Sequence, residues 1–326
     1  MKDIFKDKII LITGGTGSFG KKFTEVLMKK HKPKKLIIFS RDEMKQYEMR
    51  KQFNQENIRY FIGDVRDASR LHRAFNGVDI IVHAAALKIV PAAEYNPFEA
   101  VKTNIIGAEN VINVAIDNNV KKVIALSTDK AANPINLYGA TKLCAEKMFI
   151  AANNYSPHGT KFSVVRYGNV FGSRGSVVPF FMECKGKGLV PITHKDMTRF
   201  WVTLKKGVEF VIRSLENMSG GEIFIPKLYS INIVDLAKAI CPNCKQKIIG
   251  IRPGEKLYET LVPKDDWTFT YEYKDKFISY SKVIDRKGMI PGGRKLPKDF
   301  EGYRSDNNPD WLTIKALEKM IKVEEF

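Results

Sequence analysis

The sequence is poor in cysteine. Its 326 residues include four cysteines, too few for the disulfide framework of a small secreted protein. Cys241 and Cys244 have the spacing of half a zinc site, but a structural zinc needs four ligands and the sequence holds no second pair. We therefore expect no bound metal and four ordinary reduced thiols, with Cys144 and Cys184 as the other two.

Long apolar runs are also missing. No segment approaches the roughly 20 apolar residues of a membrane-spanning helix. The opening stretch MKDIFKDKIILITGG has no signal-peptide core, because its apolar residues lead directly into glycines, as in a buried strand. Hydrophobic residues make up 44% and charged residues 28% of the chain, which is typical of a globular enzyme. We expect a cytoplasmic protein without membrane insertion.

Acidic residues are scarce relative to basic ones. The chain has 36 Asp and Glu residues against 54 Lys and Arg residues, for a net charge of +18. Such an excess attracts nucleic acid, anionic membranes or phosphorylated ligands. The lysines are dispersed, apart from a cluster at 29–35 that is typical of a solvated turn, and no helix-turn-helix, zinc-finger or aromatic-interleaved basic motif is present. We expect no nucleic-acid partner and a charge that attracts anionic substrates.

Six short apolar segments alternate with helical patterns in the first half of the chain. The predicted strands are KIILIT (8–13), KLIIFS (35–40), IRYFIGDV (ending at Asp64), VDIIVHAAA (78–86), KKVIALSTD (121–129) and KFSVVRYGNV (161–170). Fully apolar strands that alternate with helices, such as the helix predicted at 98–116, form a parallel sheet covered on both faces. The predicted fold class is α/β, a doubly wound parallel Rossmann sheet whose ligand lies at the carboxyl ends of the strands.

The pattern changes after Gly172, where segments become richer in proline, glycine and polar residues. We predict a Rossmann domain over residues 1–172 that carries the cofactor and catalytic residues. A smaller substrate-binding domain is predicted over 173–326, with some segments returning to the Rossmann sheet and a final helix at 311–323.

The first strand leads into TGGTGSFG, a glycine-rich turn before a helix. Such a turn lets the backbone approach a pyrophosphate, whose charge lies on the helix N-terminus. Gly15, Gly17 and Gly20 fit the general dinucleotide spacing, and an offset set fits the short-chain dehydrogenase variant. The residues assigned to the cofactor here are Gly14, Gly17, Ser18, Phe19 and Gly20.

The end of the second strand indicates which dinucleotide is bound. Ser40 and Arg41 come before any acid, and Lys45 follows. This order suits a 2′-phosphate and hence NADP, whereas Asp42 and Glu43 keep NAD possible.

Two further strand ends are assigned to the cofactor. Asp64 and Val65 would flank the adenine, and Ala84 and Ala85 would let the cofactor pass close to the backbone. Small residues in this stretch are equally compatible with plain close packing.

The fifth strand carries the candidate catalytic residues. Thr128 ends the strand, and Tyr138 and Lys142 lie one helical turn apart on the same face. Lys142 is expected to lower the pKa of Tyr138 and to bind ribose hydroxyls, so that Tyr138 accepts a hydroxyl proton while hydride leaves. Asp129 and Lys130 add an acid and a potential base that alcohol oxidation does not need; the alternative is a loop salt bridge.

The motifs together resemble a known family. They are TGGTGSFG, SRDE, GDVRD, HAAALK, EYNP, TNIIGA, LSTDKAANPINLYGATK, RYGNVFGSRGSVVP, MTRFW and RPGEK. From about residue 8 to about residue 262 the chain resembles the extended short-chain dehydrogenase/reductases, and more specifically the inverting UDP-N-acetylglucosamine 4,6-dehydratases. Retaining dehydratases of that superfamily carry Asp-Glu or Ser-Glu where this chain has Asp129-Lys130.

The resemblance implies a reaction. Tyr138 and NADP oxidise the sugar at C4, Lys130 removes the C5 proton, and Asp129 protonates the departing C6 hydroxyl. Hydride then returns to C6 and C5 is protonated from the opposite face, giving UDP-2-acetamido-2,6-dideoxy-β-L-arabino-hexos-4-ulose. Lys130 must be neutral and Asp129 protonated, so we expect the pKa of Lys130 to fall through burial and neighbouring cations.

The resemblance also implies substrate contacts and a homo-oligomer, dimeric or hexameric. Lys88 would reach the sugar or the phosphates, where it also borders the cofactor. The remaining assigned contacts are Asn169, Ser173, Arg174, Arg199, Arg252 and Glu255. Asn104 would support the active-site helix, and Ile89 departs from the histidine of close relatives. The alternatives are a retaining dehydratase, a C4 epimerase or a catalytically silent NADP-binding regulator.

Overall fold

The structure is a computed structural model that describes residues 3–173, 175–280 and 290–323. The strands of the first half are β1 (Ile9–Thr13), β2 (Lys35–Ser40), β3 (Ile58–Ile62), β4 (Ile80–His83), β5 (Lys122–Thr128) and β6 (Lys161–Tyr167). The helices of that half are α1 (Ser18–Lys30), α2 (Glu43–Gln52), α3 (Ala68–Phe75), α4 (Val90–Tyr95), α5 (Pro97–Val101), α6 (Gly107–Asp117) and α7 (Leu137–Ala151).

The second half adds shorter strands and four helices within the described residues. The strands are β7 (Asn169–Val170), β8 (Leu189–Ile192), β9 (Thr198–Val202), β10 (Glu222–Pro226), β11 (Tyr229–Asn232), β12 (Lys245–Ile248), β13 (Thr260–Val262), β14 (Thr270–Glu272), β15 (Lys276–Tyr280), β16 (Arg294–Lys295) and β17 (Tyr303–Arg304). The helices are α8 (Val177–Lys185), α9 (Leu204–Asn217), α10 (Ile233–Ile240) and α11 (Ile314–Val323). Short 3-10 turns occupy Asp129–Ala131, Ala152–Asn154 and Lys264–Thr268.

The main sheet has the strand order β16-β14-β15-β10-β6-β5-β4-β1-β2-β3. Strands β1 to β6 and β10 are parallel, whereas β15, β14 and β16 pair antiparallel with their neighbours at one edge. The chain order reverses between β1 and β4, which is the place where a doubly wound sheet binds its ligand. The predicted α/β Rossmann class is confirmed.

Both faces of the sheet are covered, which explains why its strands are apolar throughout. Ile10 and Ile12 of β1 belong to one core with Phe23 of α1. Leu11, between them, belongs to the opposite core with Val111 of α6. Because side chains alternate across a strand, each face receives its own apolar set, and each fully buried side chain contributes about 1.5–3 kcal/mol.

The predicted sixth strand is in fact two strands in different sheets. β6 ends at Tyr167, while Asn169–Val170 joins a second sheet of order β11-β9-β7. Gly168 lies between the two strands. A Cβ at this position would lie 2.5 Å from the Cβ of Phe200. The chain therefore crosses closely over β9, which only glycine allows.

Two predicted helices also differ from the observed ones. The helix expected at 98–116 is interrupted by a π-helical turn at Lys102–Ile106, between α5 and α6. The final helix begins at Ile314 rather than at Trp311, because Trp311 forms a β-bridge with Ser230. Hydrophobic periodicity alone does not predict either interruption.

Strands from the second half lie in the main sheet. β10 pairs with β6, with Phe224 opposite Val165. A third core lies apart from the Rossmann cores and includes Phe171, Trp201 and Leu236. The division of the chain at residue 172 stays a prediction.

The expectation of four reduced thiols is wrong for one pair. Cys241 and Cys244 form a disulfide at the end of α10. The Pro-Asn turn between them brings the two Cα atoms to 5.3 Å, and Cys244 N donates to Cys241 O at 3.2 Å. That separation suits a disulfide. Cys144 and Cys184 are free.

Neither a metal-binding cluster nor a membrane-spanning helix is present among the described residues. That part of the chain contains no group of three or more His, Cys, Asp or Glu side chains able to hold a metal ion. None of its helices has the length and apolar character needed to cross a membrane.

Candidate active site

The glycine turn between β1 and α1 is shaped to receive a dinucleotide. Gly14 has φ +66°, and a Cβ there would lie 2.9 Å from the Cα and N of Ala85 at the end of β4. A Cβ on Gly20 would lie 2.1 Å from Gly15 O, so α1 packs directly on the turn. No side chain caps the start of α1 at Gly17, which leaves its first N–H groups for an anion.

A buried histidine fixes the neighbouring strand ends, and sequence reasoning missed it. His83 Nδ1 lies 2.9 Å from Thr13 Oγ1, which also accepts from the N–H groups of Ala84 at 3.2 Å and Ala85 at 3.3 Å. Burial, together with the charge of Lys142, lowers the pKa of His83 to about 3. The histidine is therefore neutral and ties β1 to β4 beside the glycine turn.

The end of β2 presents a half-exposed arginine and an acid that is engaged in a helix cap. Asp42 accepts from Lys45 N at 2.9 Å as the cap of α2 and pairs with Lys45 Nζ at 2.5 Å. Ser40 is buried and its Oγ accepts from Gln46 Nε2 at 3.0 Å. Arg41 is half exposed, and its Nη1 lies 3.5 Å from Asp64 Oδ2. The acid that would favour NAD is thus engaged in the helix cap.

Asp64 follows β3, which ends at Ile62, two residues earlier than predicted. Its Oδ2 accepts from Arg66 Nε at 2.9 Å and from Nη2 at 2.7 Å. Burial would raise the pKa of Asp64, but the hydrogen bonds and charge of Arg66 outweigh it and hold that pKa below its ordinary value. Val65, next to it, is buried.

The Asp129–Lys130 pair lies on a 3-10 turn directly after β5. Asp129 Oδ1 accepts from Thr128 Oγ1 at 2.9 Å and from Lys130 Nζ at 3.1 Å. Asp129 is fully buried, and its Oδ2 has no hydrogen-bond partner among the described residues. Burial raises the pKa of Asp129 against the opposing charge of Lys130. This direction agrees with the protonated acid expected from the sequence.

Lys130 does not behave as the sequence led us to expect. Its Nζ lies 3.2 Å from Glu259 Oε1 and 3.5 Å from Asn169 Oδ1, in addition to the contact with Asp129. Burial alone would lower the pKa of Lys130, but the charges of Asp129 and Glu259 raise it above its ordinary value. The prediction of a lowered pKa is wrong, because it overlooked Glu259.

Tyr138 and Lys142 lie on α7, facing the Asp129 turn. Burial raises the pKa of Tyr138 to about 12, although the charge of Lys130 and a hydrogen bond with Thr128 act to lower it. The expected lowering by Lys142 is not seen. Burial also lowers the pKa of Lys142 to about 8.

The start of α7 is fixed to two other segments. Asn136 Oδ1 caps the helix by accepting from Gly139 N at 2.8 Å, and its Nδ2 donates to Gly254 O at 2.8 Å. Asn104, on the π-helical turn, donates to Thr141 Oγ1 at 3.0 Å. This contact is the helix support expected of Asn104.

The residues assigned to the substrate divide into two groups. Asn169 contacts Lys130, and Arg199 Nε lies 3.8 Å from Glu259. No contact among the described residues joins Lys88 or Arg252 to Lys130 or Glu259. Arg199 is buried, with Nη1 donating to the carbonyl of Thr198 and Nη2 to a methionine sulfur. Its assignment to the diphosphate therefore stays a prediction.

The second group is more open to solvent. Arg252 is exposed, with Nε 3.6 Å from Glu255. Lys88 is exposed, and partial loss of water contact lowers its pKa. Ser173 N donates to Val170 O at 3.3 Å, and Arg174 lies outside the described residues. Ile89 is 55% exposed at the start of α4.

Sequence reasoning missed Glu259, which lies three residues beyond RPGEK, and gave no role to Lys256, the last residue of that motif. Lys256 Nζ donates to Ala132 O at 2.9 Å and lies 4.0 Å from Glu259 Oε2. The only signal in the sequence was an acidic residue directly before the apolar strand β13. A charged residue in that place is usually solvated, so the sequence pattern did not indicate a site residue there.

The fold, with its glycine turn after β1 and its reversal between β1 and β4, is the NAD(P)-binding fold of the extended short-chain dehydrogenase/reductases. The family model described as "Polysaccharide biosynthesis protein" matches residues 10–281, and the chain belongs to that family.

Two relatives match over nearly the whole chain. A UDP-N-acetylglucosamine 4,6-dehydratase (inverting) of Campylobacter jejuni is 54% identical over 99% of this chain and 99% of its own length. A UDP-glucose 4-epimerase of Rickettsia conorii is 44% identical over 99% of this chain and 98% of its own. The resemblance to inverting dehydratases found in the sequence is confirmed.

Two solved structures are similar to this one. The X-ray structure of Pen from Bacillus thuringiensis has a TM-score of 0.90 at 38% identity and covers 99% of each chain. A dTDP-glucose 4,6-dehydratase of Streptomyces venezuelae, solved with NAD bound, has a TM-score of 0.70 at 21% identity. It covers 76% of this chain and 86% of that one, and at this identity it shows the fold alone.

Proposed function

We propose that this protein is a UDP-N-acetylglucosamine 4,6-dehydratase of the inverting type. The observation that carries the proposal is Lys130, 3.1 Å from the buried Asp129 at the end of β5. Oxidation of a hydroxyl needs Tyr138 and Lys142 alone, so a second acid and base are there for a second step. The relative from Campylobacter jejuni supports the same reaction.

The chain fits a nicotinamide dinucleotide, since Gly14 and Gly20 allow a turn so tight that a Cβ on either would collide with the backbone of Ala85 or Gly15, and this turn leads directly into the N-terminus of α1. Bound there, a dinucleotide would supply the hydride transfer from C4 of the sugar and back to C6. Tyr138 takes the proton of the C4 hydroxyl, and Lys142 holds the ribose. The resulting C4 ketone acidifies the proton at C5.

Elimination then needs one base and one acid. Lys130 in its neutral form takes the C5 proton, and the electron pair of that bond moves toward C4 and expels the C6 oxygen. Protonated Asp129 gives its proton to that oxygen, which leaves as water. Lys130 Nζ and Asp129 Oδ1 are 3.1 Å apart, so the proton gained by the lysine restores the acid. The second proton removed from the sugar, which Tyr138 takes from the C4 hydroxyl, balances the proton added to C5 in the product.

The finer assignments belong to the same proposal. NADP is favoured over NAD because Arg41 is half exposed while Asp42 is engaged in the cap of α2. Lys88, Arg252 and Glu255 would contact the nucleotide sugar from the solvent side. A cytoplasmic location is part of the proposal as well.

We also include a homo-oligomer, a dimer or a hexamer. Its support is an apolar surface around α4 and α5, where Tyr95 is 87% and Phe98 78% exposed. Large exposed aromatic side chains close together mark interaction surfaces.

A C4 epimerase is the second candidate, because the relative from Rickettsia conorii carries that name. An epimerase would leave Lys130 and Asp129 without a substrate bond to act on. A retaining dehydratase would need an acid in place of Lys130. Both are weaker readings of the same site.

Proton NMR of the purified protein with UDP-N-acetylglucosamine in D₂O tests the proposal. The expected product is a 6-deoxy-4-keto sugar with deuterium at C5 and L-arabino couplings. D-xylo couplings would make the protein a retaining dehydratase. A product changed only at C4 would make it an epimerase.

A further inference from the structure

Glu259 is a buried carboxylate that lies against the amine of Lys130. Only 2% of the residue is exposed, and its Oε1 is 3.2 Å from Lys130 Nζ and 3.8 Å from Arg199 Nε. Oε2 lies 4.0 Å from Lys256 Nζ and has no hydrogen-bond partner in the part of the chain that the structure describes. Burying a carboxylate costs several kcal/mol unless cations compensate it.

The backbone of Glu259, rather than its side chain, holds this segment in place. Its N–H donates to Ser305 Oγ at 2.9 Å, and its carbonyl accepts from Ser305 N at 2.9 Å. Among the described residues, the carboxylate lies within 4.0 Å of three cations, Lys130, Arg199 and Lys256. A purely structural position here would be filled by a neutral side chain at lower cost.

Lys130 thus lies between two carboxylates on different segments. Asp129 Oδ1 is 3.1 Å and Glu259 Oε1 is 3.2 Å from its Nζ. Arg199 and Lys256 are further cations at Glu259, the first at Oε1 and the second at Oε2. Two anchors fix the nitrogen more narrowly than the flexible lysine side chain would by itself, and proton transfer depends on that geometry.

We propose that Glu259 is a positioning residue for the base: it holds Lys130 Nζ beside Asp129 and stabilises the ammonium that forms as the C5 proton is taken. The inference rests on the proposed dehydratase function. In the transition state Lys130 gains a proton and a positive charge, and Glu259 is a fixed negative charge directed at it. The proton then passes to the Asp129 carboxylate, whose own proton has left with the C6 oxygen.

This positioning role predicts a specific change in the pH dependence of the reaction. The reaction needs Asp129 protonated and Lys130 unprotonated at once, so turnover rises with pH as the Asp129–Lys130 pair loses the first of its two protons. Removing an opposite charge from within about 4–6 Å changes a pKa by about 1–3 units. Without the Glu259 charge, the pair gives up that first proton at lower pH, and the rising limb moves with it.

The test is Glu259→Gln, with C5 deuterium incorporation and kcat measured against pH. We expect the rising limb to move to lower pH by about one unit or more, with a reduced maximum. Glu259→Asp keeps a carboxylate and should keep the wild-type limb at reduced kcat. Glu301→Gln is the control, because Glu301 is a surface carboxylate paired with Lys264 at 2.7 Å.

A second variant covers the case in which Glu259→Gln does not fold. Lys256→Met removes a cation near the pair, and its rising limb should move to higher pH. A uniform loss of kcat with an unmoved limb in these variants would make the role structural and overturn the inference. Failure of the wild-type protein to exchange C5 at all would instead sink the proposed function.

Discussion

Asp129 Oδ2 and Glu259 Oε2 are buried oxygens without a hydrogen-bond partner among the described residues, although each carboxylate contacts Lys130 through its other oxygen. An unpaired buried acceptor costs about 1–3 kcal/mol. A sugar hydroxyl delivered to this place would supply the missing hydrogen-bond partner for Asp129. Two carboxylates whose burial costs the fold stability are therefore ones that we assign to the chemistry.

Lys130→Ala should abolish C5 exchange while leaving the dinucleotide bound. Loss of a positioned base costs about 10²–10⁴-fold in rate, and Lys130 is not part of the glycine turn. Deuterium incorporation at C5 and cofactor titration measure the two effects. Lys121→Ala, on an exposed lysine just before β5, is the matched control. Persistent exchange in Lys130→Ala would assign the base elsewhere.

Arg41→Ala should weaken NADP binding by at least about tenfold and NAD binding much less. A charged hydrogen bond to the 2′-phosphate contributes about 1.5–3 kcal/mol, and NAD lacks that group. Dissociation constants for both dinucleotides measure the difference. Arg73→Ala, an exposed arginine on α3, should change neither. Equal losses for both would remove the 2′-phosphate assignment.

His83 should make the protein less stable in acid. Its pKa falls from 6.5 to about 3 in the fold, so below about pH 6.5 the unfolded chain binds a proton that the folded chain refuses. From about pH 7 to about pH 5 this costs roughly 2 kcal/mol. Urea unfolding of His83→Gln should show a pH penalty smaller by that amount. His158→Gln, on an exposed histidine, should retain the full penalty.

At the scale of elements, α7 is the part that brings the site together. Its first turn contacts the 3-10 turn of Lys130, its cap Asn136 contacts Gly254, and its middle contacts Asn104. Three segments far apart in the chain thus meet at one helix end. Their separation in sequence is the reason why motif spacing alone gave the residues but not their contacts.

Gly139→Ala should lower kcat by about 10²-fold with a smaller effect on stability. A Cβ at Gly139 would lie 2.2 Å from Lys130 O, so the turn carrying the base must move, and a displacement of about 1 Å costs that much in rate. Steady-state kinetics and thermal unfolding separate the two effects. Gly186→Ala is the control, since nothing lies within 4 Å of a Cβ there and φ is −68°. Unchanged turnover in Gly139→Ala would contradict the positioning argument.

At the scale of the whole molecule, the charge of +18 should act on the encounter with substrate. A nucleotide sugar carries a diphosphate, and a basic protein attracts it over about 10 Å at low salt. From about 0.05 to about 0.5 M salt, kcat/KM should fall while kcat changes little. Steady-state kinetics with a neutral osmolyte as control measures this. A kcat/KM independent of salt would limit the charge to a role in solubility.

Much of this molecule was predictable from local patterns. The six Rossmann strands and the Tyr138 helix follow from apolar runs and motif spacing, because those elements are defined by near neighbours in sequence. The contact of Glu259 with Lys130, the split at Gly168 and the raised pKa of Lys130 were not predictable. Each depends on a segment more than 30 residues away along the chain, and periodicity carries no information about such distances.

The insertion of β10 beside β6 has a consequence for the synthesis of the chain. β6 ends at Tyr167, but β10, the neighbour that covers its open side, begins only at Glu222. At about 5–20 residues per second, a nascent chain holds β6 as an uncovered apolar edge for several seconds after it leaves the ribosome. Such edges template aggregation, so the period between the two strands is when a chaperone would bind, and slower translation there should lower the soluble yield.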